Sequence, residues 1–224
     1  MRKTALLIAC LLALCVTATS ASAKHSRHAV PENCSVRRTH LLAADTQAQV
    51  FTALDAQGLF PVIYGCAYGH QRTYLLGGVP ECAGGGGGGS CSGIEHPVLA
   101  GPIVAFEEFV DMEGSGGGSA RWLVVVRDLR TGRVLRRLPT ETSSPTGVGP
   151  ATDIVVKSDG AVAWIVQTRL STSSHPAEYE VHAADASGSQ VLAAGPEIGS
   201  SSLALTASTL YWTQAGRAAS AALN

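Results

Sequence analysis

A pair of hairpin patterns returns along the chain about every fifty residues, and few architectures accommodate that. In Arg121-Trp-Leu-Val-Val-Val-Arg-Asp128 a β-rich run ends at an Asp, a turn follows with Gly132, and Val134-Leu135 opens a second run. The segment Glu178-Tyr-Glu-Val-His-Ala-Ala-Asp185 does the same, with Gly188 in the turn and Val191-Leu192 after it. Val62-Ile-Tyr-Gly-Cys66 through Gly69 to Tyr74-Leu75 is a weaker copy that lacks the Asp. A different hairpin precedes each of these. Ile154-Val-Val-Lys-Ser-Asp159-Gly160-Ala-Val-Ala-Trp164 sets Asp-Gly between two apolar runs, the strongest short hairpin cue. Leu203-Ala-Leu-Thr-Ala-Ser-Thr-Leu-Tyr-Trp212-Thr has the same form. Gly101-Pro-Ile-Val-Ala-Phe106 and Ala48-Gln-Val-Phe51-Thr-Ala-Leu carry the corresponding second strands. Their large aromatics, Phe51, Phe106, Trp164 and Trp212, are 55, 58 and 48 residues apart.

The unit is therefore two hairpins, or four strands, and a period of that length predicts propeller blades. Stacked blades bury both faces of each sheet, so a run such as Leu123 to Val126 is apolar without alternating. The competing architecture is a β-sandwich whose hairpins resemble one another by chance. The predicted fold is all-β: a propeller-like array of about four four-stranded antiparallel blades over residues 34–224. Three units are full, and the fourth is one strand short at Asn224. A small ring closed by an N-terminal strand, an open array and part of a larger assembly all fit this count. An unpaired edge would expose backbone groups to unwanted pairing.

Asp128-Leu-Arg-Thr-Gly132-Arg-Val-Leu resembles the outer hairpin of quinoprotein-like and WD-repeat-like propellers. Asp159-Gly160 followed by Ala-Val-Ala-Trp164 resembles their inner hairpin. More narrowly, the chain looks like a group of exported, uncharacterised actinobacterial proteins with degenerate blades, and the ending Leu203-Ala-Leu to Leu-Tyr-Trp212-Thr is similar to theirs. The resemblance implies architecture only. The Trp-Asp dipeptide of WD repeats and the regular docking Trp of quinoprotein blades are both absent.

Residues 1–23 read as a secretory signal peptide: Arg2 and Lys3, then an apolar run from Ala5 to Val16, then Ala21-Ser-Ala23 as a small-x-small cleavage site. The run is shorter than the roughly 20 residues of a membrane span. Leu7-Ile-Ala-Cys10 has the residue types of a lipid-attachment site but almost no apolar core upstream, so lipid anchoring is a minor alternative. Residues 24–33 are expected to form a flexible leader. Cleavage after Ala23 leaves 14 basic and 17 acidic residues, a balance of −3 that argues against nucleic acid as a partner. Four cysteines then remain, and an even number in an exported chain reads as two disulfides with three pairings open. Cys82 and Cys91 flank the glycine run Gly84 to Gly89, which folds back easily, so we favour Cys82–Cys91 and, by elimination, Cys34–Cys66. No cysteine spacing suits zinc.

Chemical motifs are scarce. There is no Gly-x-Ser-x-Gly, no phosphate-binding Gly-Lys-Ser/Thr loop and no His-Glu-x-x-His. The seven histidines are scattered; His182 and Asp185, three apart in a strand, face opposite sides. Glu107, Glu108, Asp111 and Glu113 form the acidic cluster. Asp111-Met-Glu113-Gly-Ser115 spaces oxygens as a calcium loop does, but Trp122 stands where a bidentate Glu is needed, and a solvated loop is the simpler reading. Arg127, Arg130, Arg133, Arg136 and Arg137 crowd one hairpin and suit either a polyanion or a solvated edge that blocks association. Trp164 and Trp212, at equivalent repeat positions, are assigned to packing.

No catalytic residue, metal ligand or cofactor is expected. The predicted function is an exported, non-catalytic binding or scaffold protein of the bacterial cell envelope, with an unknown protein or glycan at the cell surface as partner. The alternative is an extracellular propeller enzyme, a glycan hydrolase or lyase, with its site on the axial loops. That alternative requires at least two carboxylates and a His converging within about 5 Å on the axis.

Overall fold

The computed structural model describes Cys34 and residues 40–55, 57–70, 72–79, 92–112, 119–140 and 149–224. The expected signal peptide and leader lie outside these residues, as do Cys82 and Cys91 with the glycines between them. The described elements are all strands. They form four consecutive antiparallel sheets, each a meander in chain order. The first holds β1 (His40–Ala44), β2 (Ala48–Leu54), β3 (Pro61–Ala67) and β4 (Thr73–Gly78). The second holds β5 (Ser92–Ala100), β6 (Ile103–Met112), β7 (Ser119–Asp128) and β8 (Val134–Pro139). The third holds β9 (Ala151–Val156), β10 (Val162–Arg169), β11 (Glu178–Asp185) and β12 (Gly188–Gly195). The fourth has three strands, β13 (Ala204–Thr206), β14 (Thr209–Gln214) and β15 (Arg217–Ala222). It is not the four-stranded unit of the general expectation: the strand that the unit count left missing is missing here. No described helix is long and apolar enough to cross a membrane.

Each predicted hairpin is present: β3–β4, β7–β8 and β11–β12 follow the Asp or Gly turns, and β9–β10 and β13–β14 are the hairpins that precede them in the repeat. The four aromatics Phe51, Phe106, Trp164 and Trp212 each lie buried in the second strand of their sheet.

The core sits between sheets, and alternate residues of one strand serve different interfaces. On β6, Val104 and Phe106 pack towards the first sheet, while Ile103 and Ala105 pack towards the third. On β10, Val162, Trp164 and Val166 face the second sheet, and Ala163 and Ile165 face the fourth. This two-sided burial is why these strands read as continuous apolar runs. The apolar clusters join the first sheet to the second, the second to the third and the third to the fourth. A disulfide joins Cys34 to Cys66, with Cα atoms 5.9 Å apart, on the outer face of the first sheet beside Phe51 and Ala53. The first strands of neighbouring sheets approach one another, β1 against β5 and β5 against β9.

Polar groups tie the sheets together at the same junctions. Asp45 accepts a hydrogen bond from Gly101 N at 2.7 Å, Glu107 from Ala151 N at 2.5 Å and Asp153 from Leu203 N at 2.8 Å. Each is a carboxylate of one sheet or its turn holding a backbone N–H of the next sheet or of a connection beside it.

A candidate polar site between the second and third sheets

Among the described residues, two carboxyl groups and an imidazole converge where β5, β6 and β9 meet, and a bulge creates the convergence. The tight turn at Gly101-Pro102 sets a regular register in which Ala100 pairs with Ile103 and Val98 with Ala105. Continued without interruption, that register would set Glu95 opposite Glu108. Pro97 has no N–H to give the ladder, and prolines inside sheets sit at bulges for that reason. The register shifts between Glu95 and Val98, and beyond the shift Glu95 faces Glu107. A one-residue shift also exchanges the two faces of a strand. Ile94 therefore packs with the first sheet's cluster, and Glu95 turns towards the third sheet, the side of Glu107. His96, within the bulge, takes the left-handed φ of +49°.

The ligand-capable atoms of Glu95, His96 and Glu107 all lie within 4.8 Å of one another. Glu107 is fully buried, Glu95 partly, and the His96 side chain is 54% exposed. Glu107 Oε1 is held by Ala151 N. Its Oε2 has no hydrogen-bond partner; His96 Nδ1 stands 3.8 Å away, too far for one. Burial pushes the Glu107 carboxyl up to about 8; the Ala151 N–H opposes this and the nearby Glu95 charge adds to it. Asp153 on β9 belongs to the same electrostatic neighbourhood. Burial raises its carboxyl, and the N–H groups of Leu203 and Ile154 and the charge of His96 pull it back.

Such a group has two chemical options. A fully buried carboxylate facing another carboxylate needs a proton or a cation, because like charges directly opposed across strands repel and burial strengthens the repulsion.

The residues singled out in the sequence fare differently. Strand alternation divides the acidic cluster: Glu107 points to the third sheet, whereas Glu108 forms an ion pair with Arg137 at 2.8 Å. Asp111 ends on β6 and Glu113 lies outside the described residues, so the calcium-loop reading stays where the sequence left it. Trp122 packs against Phe109, ring centroids 4.6 Å apart. Four of the five clustered arginines are engaged within the fold. Arg127 donates to the carbonyls of Gly132 and Leu75 and lies over the Tyr74 ring of the first sheet. Arg130 pairs with Asp128, Arg136 donates to Gly160 O of the third sheet, and Arg137 holds Glu108. Gly132 has a left-handed φ of +75°, and the Tyr74 ring packs where a Cβ would stand. Arg127 and Arg136 thus fasten the second sheet to its two neighbours, while Arg130 and Arg137 pair within it.

His182 does face away from Asp185. Its partner is Glu180, two residues back on the same strand face, at 2.8 Å, and Trp164 stacks on its ring. Trp164 is a packing residue whose Nε1 donates to Thr140 O. Sequence reasoning missed the pairing of Glu95 and His96 with Glu107; the residue that could have signalled it is Pro97, since a proline inside a sheet marks an edge or a bulge.

A groove of about 410 Å³ is lined by Val110, Arg121, Leu123, Arg137 and Pro139 on the side of the second sheet that faces the first. Compared with known protein families, curated proteins and solved structures, the chain finds no match.

Proposed function

We propose that this chain is an exported, non-catalytic binding or scaffold module of the bacterial cell envelope, built as a propeller-like array of blades. The observation that carries the reading is the fate of its charged side chains. Asp45, Glu107 and Asp153 hold backbone N–H groups of a neighbouring sheet or connection, and Arg127 and Arg136 hold carbonyls. Charges that a catalytic centre would keep available are engaged in holding sheets in place, as a presenting scaffold requires. The partner is a protein or glycan at the cell surface. Purified protein should sediment with insoluble cell-wall glycan and release neither reducing ends nor unsaturated sugars. Release of either product would overturn the non-catalytic reading.

One observation favours a second reading, a propeller enzyme acting on extracellular glycans. Two carboxylates and a His, Glu95, Glu107 and His96, converge within 4.8 Å on the side where the first strands meet. In that reading the protonated Glu107 is the proton donor, and Glu107→Gln abolishes glycan cleavage while leaving glycan sedimentation intact.

A further inference from the structure

Glu95, His96 and Glu107 bring two carboxylate groups and an imidazole to one point, and no hydrogen bond joins any two of them. Among the described residues, the basic group within ion-pair range of Glu107 is His96, at 3.8 Å. Glu107 is fixed in place. Its side chain is fully buried, and Ala151 N holds Oε1, so Oε2 is aimed at the cluster without a hydrogen bond of its own. A backbone group that orients a carboxylate in this way is the usual support of a ligand.

We propose that Glu95, His96 and Glu107 bind a divalent first-row transition-metal ion between the second and third sheets. The donor set selects the class. Two carboxylates balance a charge of +2, and an imidazole nitrogen suits zinc, iron or nickel better than calcium or magnesium, which take oxygen ligands. Zinc bonds to nitrogen and oxygen at about 2.0–2.2 Å, which places its ligand atoms roughly 3.5 Å apart. The present atoms lie within 4.8 Å of one another, so binding draws Glu95 and His96, the two with solvent exposure, in towards Glu107. Three protein ligands leave one tetrahedral position for water or a partner's donor atom. The bulge supplies the geometry: without it Glu95 would lie on the opposite face. The inference stands independently of the envelope-scaffold reading, since metal binding needs no glycan or protein partner.

The test is a titration of the purified full chain with Zn²⁺, read by calorimetry and by the thermal unfolding midpoint. Glu107→Gln keeps a carbonyl oxygen for Ala151 N, and His96→Asn suits a left-handed φ, so both variants should fold. The expected result is one Zn²⁺ per chain in the wild type, a raised midpoint on binding, and at least tenfold weaker binding in each variant with the midpoint shift lost. No stoichiometric Zn²⁺ site would overturn the proposal. So would a site unaffected by either variant, which would place the ion on other histidines such as His70 or His175. Tighter binding of Ca²⁺ than of Zn²⁺ at these residues would overturn the metal class.

Discussion

His182 shows how much one buried ring controls. It is fully buried, stacked at 15° to Trp164 with centroids 5.0 Å apart, and 2.8 Å from Glu180. Burial lowers its pKa below the ordinary 6.5, and the bond to Glu180 only partly opposes this. The unfolded chain therefore binds a proton that the folded chain refuses. Between the depressed folded value and 6.5, stability rises with pH, by at most about 1.4 kcal/mol per pH unit. The contribution is complete above 6.5 and is lost on acidification. Glu107 runs the other way: raised from 4.5 to about 8, it favours the folded state at low pH and loses that contribution as pH rises through about 8. The opposed slopes mask each other in a single unfolding curve. The informative quantity is the stability difference between wild type and His182→Gln, which keeps an amide donor for Glu180. That difference should move in favour of the wild type from about pH 5 to about pH 7; a flat difference would show that His182 titrates alike in both states. The same-face partner was legible, because residues two apart on a strand share a side. The Glu95–Glu107 pairing was not, because it depends on a single inserted residue whose place in the ladder only the folded register reveals.

Hairpins were the most readable elements, since turn chemistry is local. Asp159 accepts from Ala161 N and Asp185 from Ser187 N, the turn-closing bonds that make Asp a hairpin signal. What sequence could not show is the second task of these carboxylates. Asp45 Oδ1 closes its own turn on Gln47 and Ala48, while Oδ2 reaches Gly101 in the next sheet, 56 residues on. Asp185 likewise uses Oδ2 for Asn224 N. Such bonds depend on how sheets are offset, which no local pattern encodes. Two hairpins depart from turn preference, and in the β13–β14 turn Ala207 takes a φ of +52°. Ala215 and Gly216 join β14 to β15 with φ of +52° and +70°, the left-handed pair of a two-residue turn, and Ala215 carries the steric penalty there. Asn tolerates this conformation, so Ala215→Asn should raise stability by about 0.5–1 kcal/mol in urea unfolding. A neutral or destabilising result would mean that the turn is not left-handed in solution.

At the scale of the molecule, the order of sheets was readable from the spacing of Phe51, Phe106, Trp164 and Trp212, but closure was not, because ring and open array share the same strands. The packing shown runs in line: first with second, second with third, third with fourth. In such an array each sheet is stabilised by its neighbours, and an end sheet with one packed face opens more easily than an interior one. The fourth sheet has this character. Leu210 and Trp212 are buried against the third sheet, while Ala204, Thr206, Tyr211, Ala218, Ser220 and Ala222 are exposed. The third sheet buries residues on both faces of β10, from Val162 to Val166. Native-state hydrogen exchange separates the two arrangements. An open array predicts that the amides of β14 and β15 exchange through a sub-global opening, well before those of β10 and β11, which should follow global unfolding. Ala215→Asn should then slow exchange in β14 and β15 while leaving β10 unchanged, because its gain is confined to the fourth sheet. A closed ring covers the exposed face of the fourth sheet and couples it to the first, so equal protection in β10 and β14 would refute the open array.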